Sequence, residues 1–407
     1  MTHSPQFLSD APNPLTSPAA AQRFLASYWQ KQPGLIRQAL AVGPYSPGTP
    51  ALREMATHEA VESRLVRRRG ARWRLVDGPI AAAELPGARD KAWTLLIQGV
   101  DLHLDAVADL RERFRFMPDV RLDDVMISVA GDQGGVGPHV DSYDVFLLQL
   151  EGRRRWHLAP PADYLLQPGQ PLRLLAHFKA AVTVDLDAGD MLYLPPGWAH
   201  DGIAQGPCTT ASIGLRAPSD DELLLAWLRD SIDAIARATD EAADDNETLA
   251  TEPVERYLDD TAPAELRRWQ RQPAAIPAPM ARTLRGWLQR FRPGADDIND
   301  FIGRYLTEPK AGLAFDGCTA ARARRLLEQA RRHGLRLDRR TRMAYRADQV
   351  FINGDSFVTD GQTRKLLAQL ANARRLNAAD TAALFEDPDV APVIAEWAQA
   401  GWIRVET

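Results

Sequence analysis

Along residues 125–215 the chain runs through short apolar stretches broken by glycine and proline, the pattern of strands separated by tight turns. Strands are predicted at 125–130, 145–150, 155–158, 181–186, 191–194 and 211–215. Gly134-Gly135, Glu151-Gly152, Gly189-Asp190 and Pro195-Pro196-Gly197 punctuate them. Many short strands with such punctuation predict a sandwich or a barrel.

The flanks have a different period. Residues 16–115 mix helical and extended patterns, with Phe24, Leu25, Tyr28 and Trp29 at helical spacing. After Ala217-Pro218, Ser219 with Glu222 three residues on predicts a capping box. Leu224, Trp227, Leu228, Ile232 and Ile235 then mark one face of a helix. Residues 239–253 are acidic and poor in large apolar side chains, so they read as a linker. Leu284, Trp287, Leu288 and Phe291 continue at helical spacing. Toward the end a helix is predicted at 320–332, strands near 343–345 and 350–352, a helix at 363–370, and a closing extended stretch at 402–405. Helices with a small sheet fit a winged-helix module. No fixed-period repeat is visible.

Charge narrows the choice of partners. Forty-nine basic against 54 acidic residues give a net charge of -5, which argues against a surface built to neutralise nucleic-acid phosphates. No sequence-specific nucleic-acid binding is expected, whereas a basic protein partner suits the balance. Cys208 and Cys318 are the two cysteines, too few for a disulfide framework, so a reducing cytoplasm is the expected setting. Residues 1–14 lack the basic and apolar regions of a secretory signal. No apolar run reaches the roughly 18 to 20 residues of a membrane span. A soluble protein with no membrane partner is expected.

The chemistry concentrates in Gly134-Gly135-Val136-Gly137-Pro138-His139-Val140-Asp141-Ser142-Tyr143-Asp144. In a strand, residues i and i+2 point to one face, so His139 and Asp141 can aim at a single point inside a barrel. His200, after a strand and the Pro195-Pro196-Gly197 turn, is the best third ligand. Two imidazoles and a carboxylate on one face of an octahedron form the facial triad of non-haem iron oxygenases. A lone H-x-D among eight histidines arises easily by chance; the all-β context and the second histidine give this one its weight.

Gly152-Arg153-Arg154-Arg155-Trp156 opens the strand that follows 145–150. An inward cation is costly without an anion, and a guanidinium grips a carboxylate with two parallel hydrogen bonds. If Arg154 points inward, the distal carboxylate of 2-oxoglutarate is its partner. The alternative is a solvated edge, which is the expected setting of Arg153 and Arg155.

The run GGVGPHVDSYDVFLLQLEGRRRW, with LYLPPGWAH, SIGLRAP and the N-terminal FLASYWQKQPGLIRQA, resembles the bacterial ribosomal oxygenases of the JmjC type. The resemblance follows nearly the whole chain in domain order, and residues 125–218 are its specific part. It implies an α+β protein: a double-stranded β-helix (cupin/JmjC) barrel, a helical dimerisation region and a C-terminal winged-helix domain. The corresponding divisions are 1–217, 218–310 and 311–407. It further implies an iron(II)- and 2-oxoglutarate-dependent dioxygenase that 3-hydroxylates an arginine of the sixteenth large-subunit ribosomal protein. His139, Asp141 and His200 become the iron ligands and Arg154 the 2-oxoglutarate anchor. Arginine at the anchor, where eukaryotic relatives have lysine, favours the bacterial branch.

Ser128 and Ser212 match family positions near the cosubstrate, Ser128 being equally readable as a small polar residue packed in a strand. Thr210 stands where some relatives have asparagine. Asp132 and Tyr143 are candidates for gripping the substrate: Tyr143 shares the face of His139 and Asp141 if the strand is regular, and Asp132, in a loop beside glycines, is equally readable as a turn residue. Asp144 ranks lower because it faces the other way, and Asp201 is expected in a supporting or solvent-facing role. His157 and His177 are expected to pack or face solvent, Cys208 to be a buried small residue, and Trp227, Trp269 and Trp287 to sit in helical cores or a dimer interface. Arg336, Arg339, Arg340, Arg342 and Arg346 form a basic stretch that either faces solvent or touches ribosomal RNA. The competing functions are a catalytically silent barrel scaffold with a winged-helix binding role, another metal-dependent cupin enzyme, and histidine hydroxylation or lysine demethylation within the same class.

Overall fold

The computed structural model describes residues 8–87, 89–244, 282, 285 and 294–406, with the backbone alone for 235–244. Trp269, Trp287 and the expected helical face of Leu284, Leu288 and Phe291 lie outside these residues.

Eight strands build the barrel. They follow β1 (Ser9–Asp10), β2 (Gly34–Ile36), β3 (Ser63–Arg69), β4 (Arg72–Asp77) and β5 (Trp93–Ile97) in the chain. The eight are β6 (Leu122–Ala130), β7 (His139–Val140), β8 (Asp144–Glu151), β9 (Arg153–Ala159), β10 (Val182–Asp187), β11 (Met191–Leu194), β12 (Ala199–Ala204) and β13 (Cys208–Leu215). One sheet has the order β1-β2-β11-β8-β13-β6-β5-β3-β4, the other β10-β9-β12-β7. N-terminal strands thus extend the larger sheet at both edges.

β8 is buried almost throughout because each of its faces meets a different core. Phe146, Leu148 and Leu150 join Val125, Ile127, Val129, Ile213 and the N-terminal helices, where Phe24 packs on Phe146 and Tyr193. Val145 and Leu147 face the barrel lumen with Leu192, Leu194, Trp156, Leu158, Val184 and Leu186. The helix Pro18–Ser27, begun by the Ser17 side chain and Pro18, supplies Phe24 to the outer core.

Strands predicted from the alternation appear close to their expected bounds; the strand expected to carry both His139 and Asp141 is only two residues long and ends at Val140, and β12 was not predicted as a strand. β12 reads Ala-His-Asp-Gly-Ile-Ala, without a run of branched residues, because Gly202 must leave room for Trp156. A Cβ there would stand 2.6 Å from the indole.

The helix Asp220–Asp244 absorbs residues 239–244, which the acidic composition had assigned to a linker. Only half of the expected capping box forms: Ser219 accepts from the Glu222 N–H at 3.1 Å. The Glu222 carboxylate instead bonds Arg216 and Tyr305. Leu224, Leu225, Leu228 and Ile232 are exposed along this helix.

At the C-terminal end, the helices Ala320–His333, Gly361–Ala373, Ala378–Leu384 and Ala391–Ala400 enclose a core of Leu335, Leu367, Leu370, Ile394, Trp397 and Ile403. A three-stranded meander, Met343–Arg346, Gln349–Ile352 and Asp355–Val358, stands beside it. The helix Ala295–Thr307 lies on that meander, with Gly303 so close to Phe351 that a Cβ would come within 2.3 Å of the ring.

The basic stretch near Arg340 corrects the sequence reading. Arg339 reaches Asp105 at 2.8 Å and the Leu102 carbonyl at 2.9 Å, and Arg342 donates to the Asp123 carbonyl at 3.1 Å. Lys310 pairs with Asp124 at 2.8 Å. These residues join the C-terminal module to the barrel domain, so the central arginines of the stretch form neither a solvated face nor an RNA surface.

Candidate metal centre

β7 and β12 pair antiparallel with His139 directly opposite His200, and their ring centroids are 4.2 Å apart. Asp141 follows β7 as the strand ends, its carbonyl accepting the Gly197 N–H of the Pro195-Pro196-Gly197 turn at 2.9 Å. That contact fastens the turn preceding His200 to the segment bearing the other two residues. Asp141 Oδ1 is 3.7 Å from His139 Nε2, and Oδ2 is 3.5 Å from His200 Nε2. One ligand atom from each of the three lies within 4.8 Å of the others.

Both imidazoles are set in the same tautomer. Nδ1 of His139 is 2.9 Å from the Gly137 carbonyl oxygen and Nδ1 of His200 is 3.0 Å from that of Trp198. A carbonyl only accepts, so each Nδ1 carries a proton, and Nε2 is the nitrogen that can offer a lone pair to a metal. Burial, and then the neighbouring His139, hold the His200 pKa down to about 4 against the opposing pull of Asp141. The ring is therefore neutral at pH 7 and able to ligate. Two imidazoles and a carboxylate suit a divalent transition metal.

β9 separates its three arginines by parity. Arg153 donates to Asp187 at 2.6 and 3.2 Å, and Arg155 to Asp185 at 2.7 and 2.9 Å, both across the outer face. Arg154 turns the other way with Trp156 and Leu158 and is 4% exposed. Its Nε and Nη2 have no hydrogen-bond partner among the described residues, and its guanidinium carbon stands 5.7 Å from the centre of the Trp156 ring. Arg154 faces Ala204 across β12, four residues along from His200. That is about 13 Å of strand, a gap for a long arginine and a short diacid to bridge together. A buried cation without an acceptor fits a site whose anion arrives with a ligand.

Ser128 and Ser212 share the lumen parity. The Ser128 hydroxyl makes a long contact of 3.4 Å to the Thr210 carbonyl. Ser212 stands on the neighbouring strand opposite Met126. The Thr210 hydroxyl donates to Gln149 Oε1 at 2.9 Å, giving this position a structural partner. Gln149 and Trp156 were not singled out in the sequence. Trp156 lies two residues from Arg154, so strand parity alone signals it; Gln149 signals itself as the polar residue of an apolar run.

The proposed substrate contacts are spread more widely. Tyr143 does not share a regular strand with His139 and Asp141, because β7 stops at Val140 and the chain bends; its side chain is 41% exposed. Asp132 accepts from Lys91 at 2.8 Å and the Gly206 N–H at 3.0 Å, so a guanidinium reaching it has to compete with Lys91. Asp144 is buried and bonded by Tyr193 at 2.6 Å and Gln30 at 3.1 Å, a structural position. His157 is 2.9 Å from the Thr183 hydroxyl, His177 is exposed, and Cys208 is buried beside Ala130 and Ala204. Asp201, opposite His157 on the outer face, is partly buried, and that burial raises its pKa.

Residues 109–223 match the JmjC domain, and residues 288–404 match the ROXA-like winged helix. The chain is a relative of the JmjC ribosomal oxygenases. The ribosomal protein uL16 3-hydroxylase of Escherichia coli is 37% identical over 204 residues, 49% of this chain and 54% of that protein. A probable ribosomal oxygenase of Haemophilus influenzae is 35% identical over 207 residues, 49% of this chain and 50% of that one. The matched segment thus spans about half the length of these curated relatives. Among solved structures, E. coli YcfD superposes with a TM-score of 0.75 at 27% identity, covering 93% of this chain and 96% of that one. YcfD in complex with cobalt and 2-oxoglutarate superposes with a TM-score of 0.71 at 26% identity, covering 94% and 97%. The JmjC match contains the whole His139, Asp141, His200 and Arg154 constellation.

Proposed function

We propose that this chain is an iron(II)- and 2-oxoglutarate-dependent protein hydroxylase that 3-hydroxylates an arginine of ribosomal protein uL16. The observation behind the class is the pairing of a preset two-histidine, one-carboxylate cluster with a buried arginine whose Nε and Nη2 meet no acceptor among the described residues. The named substrate is supported by the E. coli relative and by the net charge of -5, which suits a cationic ribosomal protein.

In this reading His139, Asp141 and His200 hold Fe(II), and Arg154 binds the distal carboxylate of 2-oxoglutarate through its Nε–Nη2 fork. Ser128 and Ser212 line the cosubstrate, while Tyr143 and Asp132 stand where substrate would enter. The bound iron and 2-oxoglutarate supply the oxygen-activating chemistry. The chain supplies placement: carbonyl-bound imidazoles keep both Nε2 atoms available, and Arg154 fixes one end of the cosubstrate. Leu147, Leu192, Val184 and Leu186 keep water from the lumen.

The exposed Leu224, Leu225, Leu228 and Ile232 support a homodimer through the 218–310 region, between a barrel domain at 1–217 and a winged-helix domain at 311–407. A cytoplasmic setting follows from a ribosomal substrate, and no described helix is long and apolar enough to cross a membrane.

Mass spectrometry of ribosomal proteins from cells with and without this gene tests the reading. One added oxygen on a uL16 arginine that disappears in the deletion is expected. An unchanged uL16 removes the assigned target. Failure of the purified, iron-loaded chain to consume 2-oxoglutarate with any ribosomal protein removes the class and leaves the silent scaffold.

A further inference from the structure

We propose that Trp156 is a cosubstrate-positioning residue whose indole N–H is a third donor to the carboxylate gripped by Arg154. The inference rests on the 2-oxoglutarate reading above and adds a contact to it.

Three polar atoms of the lumen wall are buried with no partner among the described residues: Arg154 Nε, Arg154 Nη2 and Trp156 Nε1. The two side chains are 4% and 5% exposed, so solvent does not satisfy them. All three atoms are donors, and the two residues point to the same side of β9 at positions i and i+2. A cluster of donors alone calls for a ligand that only accepts. An ionised carboxylate has about four lone-pair sites, enough to take the arginine fork and keep one for an indole N–H.

The indole is also held in place. Its ring lies 5.7 Å from the Arg154 guanidinium carbon and 5.9 Å from the His200 ring, between the proposed anchor and the proposed metal. Across β12 it fills the space that a Cβ on Gly202 would take, at 2.6 Å from Cζ3. A tryptophan serving only as core filler would be expected to turn its N–H toward a carbonyl, because an unmet buried donor is costly.

The test uses the full chain loaded with Zn(II), which binds without turnover. Calorimetry compares 2-oxoglutarate with 2-oxobutanoate, which keeps the keto acid and lacks the distal carboxylate. Trp156→Phe is expected to weaken 2-oxoglutarate roughly tenfold or more and to leave 2-oxobutanoate unchanged. Unaltered 2-oxoglutarate binding overturns the assignment, and so does equal weakening of both acids, which marks a structural role. If the wild-type chain binds Zn(II) but not 2-oxoglutarate, the hydroxylase reading itself fails. Should the variant not fold, the wild-type crystal structure with Zn(II) and 2-oxoglutarate decides. An Nε1–carboxylate distance of about 2.9 Å supports the proposal, and one beyond about 3.5 Å overturns it.

Discussion

Arg154 in the barrel and Arg340 in the C-terminal module are both nearly closed to solvent, at 4% and 9% exposure. Around Arg340 the donors are answered. Asp338 takes Nε at 2.7 Å and Nη2 at 3.2 Å, Asp316 takes Nη2 at 2.7 Å, and the Ala314 carbonyl takes Nη1 at 3.0 Å. Around Arg154 neither Nε nor Nη2 meets an acceptor among the described residues. The contrast separates two reasons for burying a cation. A completed network holds one arrangement of the chain together, whereas an incomplete one is stable enough to persist only because the rest of the barrel supports it. The second kind marks a place for a ligand.

The largest effect is expected where the network is complete. Asp338 is fully buried and also receives Arg404, so Asp338→Ala takes an acceptor from two guanidinium groups and leaves buried Arg340 with only Asp316 and the Ala314 carbonyl. A loss of about 3–5 kcal/mol is expected in urea unfolding of the full chain. A loss below about 1 kcal/mol would mean that the Arg340 network is ornamental and the contrast with Arg154 empty.

Arg154→Met reverses the outcome. Removing an unanswered charge is expected to leave the unfolding free energy unchanged or raise it, while 2-oxoglutarate affinity falls roughly a hundredfold or more. Calorimetry and denaturation on the same variant check both halves. A destabilised protein with normal affinity would place Arg154 in the same class as Arg340.

Asp101 and Arg111 form a middle case. Arg111 Nε is 3.7 Å from Asp101 Oδ2, too far for a hydrogen bond, while the Val125 N–H reaches Oδ1 at 2.8 Å. Burial outweighs the attraction of Arg111 and raises the Asp101 pKa from 3.8 to about 6. The folded state therefore holds this proton more tightly than the unfolded chain. Its contribution is greatest below about pH 4 and is lost as pH rises through about 6, on the order of 2–3 kcal/mol in all. Asp101→Asn keeps an acceptor for Val125 and should remove that slope. Identical slopes for wild type and variant from pH 4 to 7 would sink the assignment.

The same contrast explains how much was legible in the sequence. Strand parity places Arg154 inward and Arg153 and Arg155 outward, because that rule acts over two residues; it also pointed to His139 and Asp141 together, although β7 ends between them at Val140. A second histidine after a turn was enough to single out His200, but its place directly opposite His139 depends on β12, which was not predicted. Partners far along the chain were hidden. Arg339 and Arg342 look like a solvated run because Asp105 and Asp123 lie more than two hundred positions earlier. β12 was obscured by Gly202, whose missing side chain is explained by Trp156 on another strand. Tyr143 was assigned a strand-like orientation that the bend after Val140 removes.

The smallest expected effect tests how finely the lumen is built. Ser128 is 3% exposed, yet its one described hydrogen bond, to the Thr210 carbonyl, is 3.4 Å long. A hydroxyl so weakly engaged contributes little to folding and remains able to turn toward a ligand. Ser128→Ala should therefore change the unfolding free energy by less than about 1 kcal/mol and weaken 2-oxoglutarate binding several-fold, roughly the value of one neutral hydrogen bond. Because the variant removes a single oxygen from a strand buried on both faces, the backbone pairing of β6 with β13 should be unaffected. If stability falls by more than affinity does, the hydroxyl belongs with the Thr210 and Gln149 pair as part of the wall, and the ligand-facing set shrinks to Arg154 and its indole neighbour.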